Sequence, residues 1–173
     1  MSEPLPKKKS DYKLLSKLNL KNPWHLMAVG FGSGLSPKAP GTCGSFAAMF
    51  ICMLLILCPW YITLIVLIAT FFLGVKACNE AEKAMGTHDH GGLVIDEFAG
   101  MFVAILFMPQ GAWYLALLAF VLFRIFDIAK PFPVNIADRY VKGGLGVMVD
   151  DILAGVYALI AGHIILYFAT PYL

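Results

Sequence analysis

Five apolar segments constrain the fold of this chain more than any other feature of its sequence. They cover approximately residues 43–58, 61–77, 93–108, 113–126 and 152–169. A helix needs about 20 apolar residues to cross a bilayer, and fewer where its ends are shielded by protein. Of the 173 residues, 60% are hydrophobic and only 14% are charged, which is more apolar surface than a soluble domain of this size can bury. We therefore predict an all-α integral membrane protein, a compact bundle of about five transmembrane helices.

The polar residues at the N-terminus suggest a simple domain organisation. Residues 1–22 are polar and basic, whereas residues 23–173 carry all five apolar segments. The first part lacks an apolar core followed by a cleavage site, so we do not expect a secretory signal. We predict an N-terminal arm, 1–22, and a single membrane-embedded domain, 23–173.

The basic residues predict the orientation of the bundle. Lys and Arg occur only in residues 7–38, 76–83 and 124–142, and the turns at Pro59 and Pro109 carry none. With five spans, these three regions lie on one side of the membrane, which the positive-inside tendency makes the cytoplasm. The acidic residues lie in the same regions or at the adjoining helix ends. We therefore expect the N-terminus and the functional site on the cytoplasmic face.

Two pairs of acidic residues stand at the beginning of apolar segments. Asp96 and Glu97 precede Gly100, and Asp150 and Asp151 precede Gly155. Acidic residues near a helix N-terminus are stabilised by the helix dipole, so each pair could serve only as a cap. However, ionisable residues within membrane segments are costly and usually functional. A glycine one turn later would allow a ligand or another helix to approach closely.

A third group combines one acid with two cations. Arg124, Asp127 and Lys130 are spaced three apart and share one helical face, where they could also form a simple ladder of ion pairs. Brought together, the acids would repel each other unless they bound cations. Carboxylates without a matching His or Cys set favour Mg²⁺, and we include Asp89, from the loop GTHDHGG, as a further ligand. Neighbouring Arg and Lys side chains suit a phosphate ester.

A stretch rich in glycine and hydroxyl residues, residues 30–48, is a second candidate for phosphate binding. We expect a helix to begin at Ser45, so that backbone N–H groups and hydroxyls face an anion there. The alternative is a tight loop with a helix cap. The candidate phosphate-binding residues in this stretch are Lys38, Gly41, Thr42 and Ser45.

The chain resembles the phosphatidylglycerophosphatase A family in four stretches that occur in the expected order: GFGSGLSPKAPGTCGS, HDHGGLVIDEFAGM, FRIFDIAKPFP and GGLGVMVDDILAG. The similarity extends from Asn22 to about Gly162. The resemblance implies a Mg²⁺-dependent lipid phosphatase of the bacterial inner membrane, which converts phosphatidylglycerophosphate to phosphatidylglycerol and inorganic phosphate. This would be the last step of phosphatidylglycerol synthesis. The acidic positions of the family match Asp89, Asp96, Glu97, Asp127, Asp150 and Asp151, which we predict to bind metal, and its basic positions match Arg124 and Lys130.

We expect metal-bound water to attack the phosphate, with Glu97 or Asp151 as the base. The alternative mechanism is direct attack on the phosphate by an aspartate side chain. The predicted catalytic residues are Asp96, Glu97, Arg124, Asp127, Lys130, Asp150 and Asp151. Arg124 and Lys130 would also bind the substrate phosphate. The partners expected are the membrane and a phospholipid substrate, with no nucleic acid, and the sequence does not indicate an oligomeric state.

Two other classes of protein remain as alternatives. A small cation-coupled membrane transporter would also contain acidic residues in membrane segments, but it would need polar residues across the whole bilayer. A non-catalytic scaffold would use its acids only to pair with Arg and Lys, and EDTA would then have no effect.

Overall fold

The computed structural model describes residues 12–88, 90–136 and 143–169, and these residues form helices and no strand. The α-helices are α1 (Tyr12–Leu15), α2 (Pro23–Ala28), α3 (Pro40–Leu55), α4 (Trp60–Met85), α5 (Ile95–Ala104), α6 (Leu115–Ala129) and α7 (Gly143–Ala169). A 3-10 segment, Gly30–Leu35, lies between α2 and α3. The predicted all-α class is confirmed for this part of the chain.

Two of these helices are long and apolar enough to cross a membrane. They are α4, with 26 residues, and α7, with 27. α3 is a shorter apolar helix of 16 residues, and α6 has 15. α5 has only ten, which corresponds to about 15 Å. The structure thus contains two candidate membrane spans, and the larger number of about five stays a prediction.

α5 is the centre of the bundle, because every one of its residues is buried. It packs against α3, α4, α6 and α7. Its crossing with α7 is close: a Cβ atom on Gly155 would collide with the carbonyl oxygen of Gly100, and a Cβ atom on Gly100 would collide with the ring of Phe123. The close helix approach expected at Gly100 and Gly155 is therefore confirmed.

The two predicted proline turns lie together at one end of the bundle. The N–H of Gly111 donates to the carbonyl of Ile56 at 3.1 Å, and the rings of Trp60 and Phe107 are 5.3 Å apart between centroids. The first turns of α3 and α5 and the last turn of α6 lie at the opposite end, where they line a common cavity. The acidic pairs are thus separated from the proline turns by the length of the bundle.

Part of the predicted N-terminal arm packs against that same end. Leu15 and Leu18 are buried. The Leu15 side chain packs so closely on Gly92 that a Cβ atom on this glycine would collide with it. Lys17 Nζ donates to the carbonyl of Met85, the last residue of α4, at 3.1 Å. Residues 12–18 therefore cover the loop that leads into α5.

Candidate active site

Four helices enclose a cavity of about 360 Å³ at the acidic end of the bundle. α3 and α5 contribute their first turns, α6 contributes its last turn, and α7 contributes the segment around Asp150. The lining residues are Pro40, Gly41, Gly91, Leu93, Asp96, Glu97, Arg124, Asp127, Ile128, Lys130, Asp150 and Asp151. All seven residues that the sequence suggested as catalytic are among them.

The two acids of α5 occupy its first turn and are buried, with exposures of 6% for Asp96 and 7% for Glu97. Asp96 Oδ1 accepts a hydrogen bond from the N–H of Glu97 at 3.0 Å. The residue before the helix, Val94, makes no side-chain cap. Asp96 therefore accepts a hydrogen bond from one of the free N–H groups at the N-terminus of α5. The Glu97 side chain can instead interact with α3 and α6.

Arg124 joins α6 to α5 through ion pairs of its Nη1 atom. This atom lies 2.7 Å from Glu97 Oε2 and 2.7 Å from Asp127 Oδ2. The hydroxyl of Ser45, on α3, lies 3.2 Å from the same nitrogen and donates to Glu97 Oε2. The expected Arg124–Asp127 pair is thus present, but it is part of a network that links three helices.

The position of Asp150 and Asp151 differs from the sequence prediction, in which they opened the last apolar segment. α7 begins at Gly143, so the two acids lie about two turns inside the helix. They cannot act as caps there. The N–H of Gly144 instead finds its partner in Asn79 Oδ1 of α4, at 2.8 Å. Both acids are buried, with exposures of 6% and 3%.

Lys130 follows the last residue of α6 and turns towards α7. Its backbone is left-handed, with φ 41°, at a position where the following Pro131 disfavours a further helical residue. The helix therefore ends at Ala129, two residues before this proline. Lys130 Nζ lies 2.6 Å from Asp150 Oδ2, so the second cation of the cavity also pairs with an acid.

The cavity carries more acids than bases. Among its described lining residues, five are Asp or Glu and two are Arg or Lys, which leaves an excess of three formal negative charges. Asp151 also interacts electrostatically with Asp96, Glu97, Asp127 and Asp150. Its Oδ2 atom is buried and makes no hydrogen bond to any described residue. Buried like charges of this kind are costly unless a bound cation or protonation compensates them.

The donor set fits a hard divalent cation, because carboxylate oxygens are the ligands that Mg²⁺ prefers. Within residues 12–88, 90–136 and 143–169, no three His, Cys, Asp or Glu side chains already converge as metal ligands. The fit thus depends on the charge excess and on the uncommitted oxygen of Asp151. Asp89, the sixth predicted ligand, lies outside the described residues.

The glycine-rich stretch is placed differently from the prediction. α3 begins at Pro40, five residues before the expected start at Ser45. Gly41 lines the cavity, whereas the side chains of Lys38 and Thr42 are exposed outside its lining. Ser45 is fully buried, and its hydroxyl faces Glu97 and Arg124 rather than the open cavity. A phosphate in the cavity would therefore meet Gly41 but not Ser45.

Sequence reasoning missed Pro40, Gly91, Leu93 and Ile128 as lining residues. Ile128 is the informative one, because it is 73% exposed and still lines the cavity between Asp127 and Lys130. Its neighbour one turn away, Ile125, is 52% exposed. The cavity thus opens beside an apolar outer face of α6. The position of Ile128 within the Arg-Asp-Lys series was the available signal.

A second cavity, of about 460 Å³, lies near the proline turns and is lined by Phe107, Leu159, Ile160, His163, Ile164, Tyr167 and Phe168. His163 Nδ1 and Nε2 lie 2.9 Å and 3.2 Å from the carbonyl oxygens of Leu159 and Phe107. His163 is therefore packed and hydrogen-bonded to the backbone. Because this cavity contains no carboxylate, a polar path from end to end of the described bundle is not favoured.

The sequence of the chain was compared with known proteins. The family model described as phosphatidylglycerophosphatase A matches residues 26–166. Phosphatidylglycerophosphatase A of Escherichia coli (strain K12) is 48% identical over 153 residues, which cover 88% of this chain and 87% of that protein. Phosphatidylglycerophosphatase A of Haemophilus influenzae is 46% identical over 154 residues, which cover 88% and 94%.

A relative with a different name is also similar. A putative phosphatidylinositol-3-phosphatase of Bacteroides thetaiotaomicron is 43% identical over 143 residues, which cover 78% of this chain and 88% of that protein. No solved structure matches the chain significantly. The family model and the two relatives that share its name cover nearly the whole cavity-forming part of the sequence, and the chain therefore belongs to the phosphatidylglycerophosphatase A family, whose members are phosphatases.

Proposed function

We propose that this protein hydrolyses phosphatidylglycerophosphate to phosphatidylglycerol and inorganic phosphate with the help of Mg²⁺. This reaction would complete phosphatidylglycerol synthesis. The observation that carries the proposal is the single cavity in which five carboxylates and two cations meet at one end of an apolar bundle. Two relatives, 48% and 46% identical, are named for this activity.

The cavity suits a phosphate monoester on a lipid. Arg124 and Lys130 offer N–H donors to the phosphate oxygens, which is the usual chemistry of phosphate recognition. Gly41 lines the cavity in the first turn of α3, where the free backbone N–H groups of a helix N-terminus favour an anion. The exposed side chain of Ile128 lies at the rim, where the glycerol backbone of the substrate would leave the cavity and its acyl chains would enter the bilayer.

The residues available to hold Mg²⁺ are Asp96, Asp150 and Asp151. Asp151 has the uncommitted Oδ2 atom, and Asp96 and Asp150 interact with it electrostatically. Glu97 is less available, because Ser45 and Arg124 already bind its Oε2 atom. When bound, the metal would neutralise charge on the phosphoryl oxygens and make a coordinated water more acidic.

The reaction is a hydrolysis in which water attacks phosphorus and the bond from phosphorus to the terminal glycerol oxygen breaks. Of the two bases expected from the sequence, Glu97 would accept the water proton, because the uncommitted Oδ2 atom of Asp151 would bind the metal. The departing glycerol oxygen takes up a proton from solvent. Arg124 and Lys130 stabilise the negative charge that spreads over the phosphoryl oxygens.

The proposal includes a location at the cytoplasmic face of the bacterial inner membrane. In the sequence, the basic residues fall in the same regions as the acids or next to them and not at the proline turns, which favours a cytoplasmic acidic end. In this arrangement α4 and α7 span the bilayer, and α3, α5 and α6 complete a bundle of about five membrane helices. Their short lengths are compatible with membrane burial when their ends are covered by protein.

Phosphate release by the purified protein in detergent micelles tests the proposal. Phosphatidylglycerophosphate is supplied with Mg²⁺ or with EDTA, and phosphatidic acid and phosphatidylinositol 3-phosphate are supplied in parallel. We expect Mg²⁺-dependent release, fastest from phosphatidylglycerophosphate. Release from phosphatidylinositol 3-phosphate alone would instead favour the substrate in the name of the Bacteroides thetaiotaomicron relative. No release from any lipid by folded protein would refute the phosphatase.

A further inference from the structure

Ser45 is a buried hydroxyl residue in the middle of the site network, on an otherwise mainly apolar helix. Its exposure is 0%. Its Oγ atom lies 2.8 Å from the carbonyl oxygen of Gly41, one turn earlier in α3. It donates to Glu97 Oε2 and lies 3.2 Å from Arg124 Nη1. One side chain of α3 thus contacts both members of the ion pair that joins α5 to α6.

The hydroxyl suits both of these partners. Its single proton can be directed to the Glu97 carboxylate, while an oxygen lone pair accepts from the Arg124 guanidinium. An alanine could do neither, and it would leave the carboxylate with one donor fewer in a buried position. Hydrogen bonds with an ionised partner are stronger and geometrically better defined than those between neutral groups.

The consequence for Arg124 is a defined orientation of its guanidinium plane. Nη1 is held by Glu97, Asp127 and Ser45, whereas Nε is buried and makes no hydrogen bond to any described residue. Since the guanidinium is planar, fixing one nitrogen restricts the directions in which the remaining N–H groups point. Arg124 lines the cavity, so this orientation determines how it meets a phosphate.

We propose that Ser45 is a positioning residue, which sets the Glu97–Arg124 pair for phosphoryl transfer without touching the substrate. The inference rests on the proposed phosphatase function. It assigns Ser45 a different role from the one that the sequence suggested, which was direct binding of the phosphate. We expect Ser45 to affect the stability of the transition state more than the binding of the substrate. The reason is that Ser45 directs the N–H donors of Arg124 and does not contact the lipid.

The test compares Ser45→Ala with Thr63→Val in the full-length protein. Thr63, on α4, is also a buried hydroxyl residue but does not line the cavity, and both substitutions remove a hydroxyl without adding bulk. We expect Ser45→Ala to lower kcat by about tenfold, the rate equivalent of one hydrogen bond to a charged group. KM should change by less than about twofold, and Thr63→Val should leave both constants near the wild-type values. An unchanged kcat in folded Ser45→Ala would overturn the proposal.

A second measurement does not depend on the activity. The Tm values of wild type, Ser45→Ala, Arg124→Lys and the double variant form a cycle, in which coupled residues give a smaller combined loss than the sum of the single losses. Additive losses would show that Ser45 does not hold Arg124 and would also overturn the inference. If the wild type releases no phosphate from phosphatidylglycerophosphate while the Tm cycle shows coupling, the contact stands and the proposed function fails.

Discussion

Lys130 Nζ lies 2.6 Å from Asp150 Oδ2, and this contact connects the end of α6 to the second turn of α7. Together with the Arg124–Glu97 pair, it means that each of the two cations of the cavity is matched to an acid on a different helix. Asp127 shares Arg124 with Glu97, so two cations face five acids in the described cavity lining. The site therefore has an excess of formal negative charge and at the same time retains donors for an anion.

Replacement of Lys130 by Gln should lower kcat/KM by about 10- to 100-fold, since one donor to the phosphoryl oxygens is lost in a water-poor site. Lys83→Gln is the matched control, because Lys83 also pairs with an acid, Glu80, but on the exposed surface of α4. Such exposed pairs contribute little, and this variant should retain wild-type activity. Equal effects of the two substitutions on phosphate release would contradict the assigned role.

Asp151→Asn should change stability in opposite directions with and without metal. In EDTA, the substitution removes one of several mutually repelling charges, so we expect a higher Tm than that of the wild type. With excess Mg²⁺, the wild type gains stability by binding the ion, and the variant should gain much less. Thermal unfolding in detergent, followed at several Mg²⁺ concentrations, measures both effects. A wild-type Tm that is indifferent to Mg²⁺ would argue against a metal site in the cavity.

Gly41→Ala should abolish turnover, because its Cβ atom would overlap the carboxylate of Glu97 and lie 3.6 Å from Arg124 Nη1. The Glu97–Arg124 pair would have to move. Cys43→Ala, in the same region of α3, is the control, since the Cys43 side chain hydrogen-bonds to the carbonyl of Lys38 and does not line the cavity. Normal phosphate release by folded Gly41→Ala would show that the cavity tolerates a displaced Glu97.

Ile128→Asn tests the lipid-facing rim of the cavity. The variant should lose activity towards long-chain phosphatidylglycerophosphate in vesicles, but it should hydrolyse a water-soluble short-chain analogue at nearly the wild-type rate. The physical reason is that the polar side chain disfavours only the acyl chains at the rim. Ile65→Asn serves as control, because Ile65 is 61% exposed on α4 and does not line the cavity. Parallel losses for both substrates would place the effect in the phosphate site instead.

Much of the site was predictable from the residue types. Acids inside or beside apolar segments are expensive, so their number alone indicated that they would meet. The cavity contains every predicted acidic site residue except Asp89, which lies outside the described residues. Helix boundaries were less predictable. The last apolar segment was predicted to begin at residue 152, whereas α7 begins at Gly143. Gly144 lies inside this helix, where a Cβ atom would collide with the Val75 carbonyl of α4. Glycine occurs both at close helix contacts and in turns, so its presence alone does not distinguish the two.

Other differences have equally definite causes. Pro40 carried a usable signal, since proline is favoured in the first turn of a helix, and it would have placed the start of α3 correctly. No feature of the sequence indicated the short length or the full burial of α5. Hydropathy measures how apolar a segment is, and it does not distinguish a segment surrounded by protein from one surrounded by lipid.

The burial of α5 on all sides has a consequence for how the protein is made. A helix of ten residues is too short to cross a hydrocarbon layer about 30 Å thick, and its first turn carries two acids, so the bilayer alone offers it no stable place. α4 and α7 have the length to insert independently, and membrane helices associate after insertion. We therefore expect the segment from Ile95 to Ala104 to reach its final depth only after α7 has been synthesised. The site, which depends on α5, would then be assembled only after α7 has inserted.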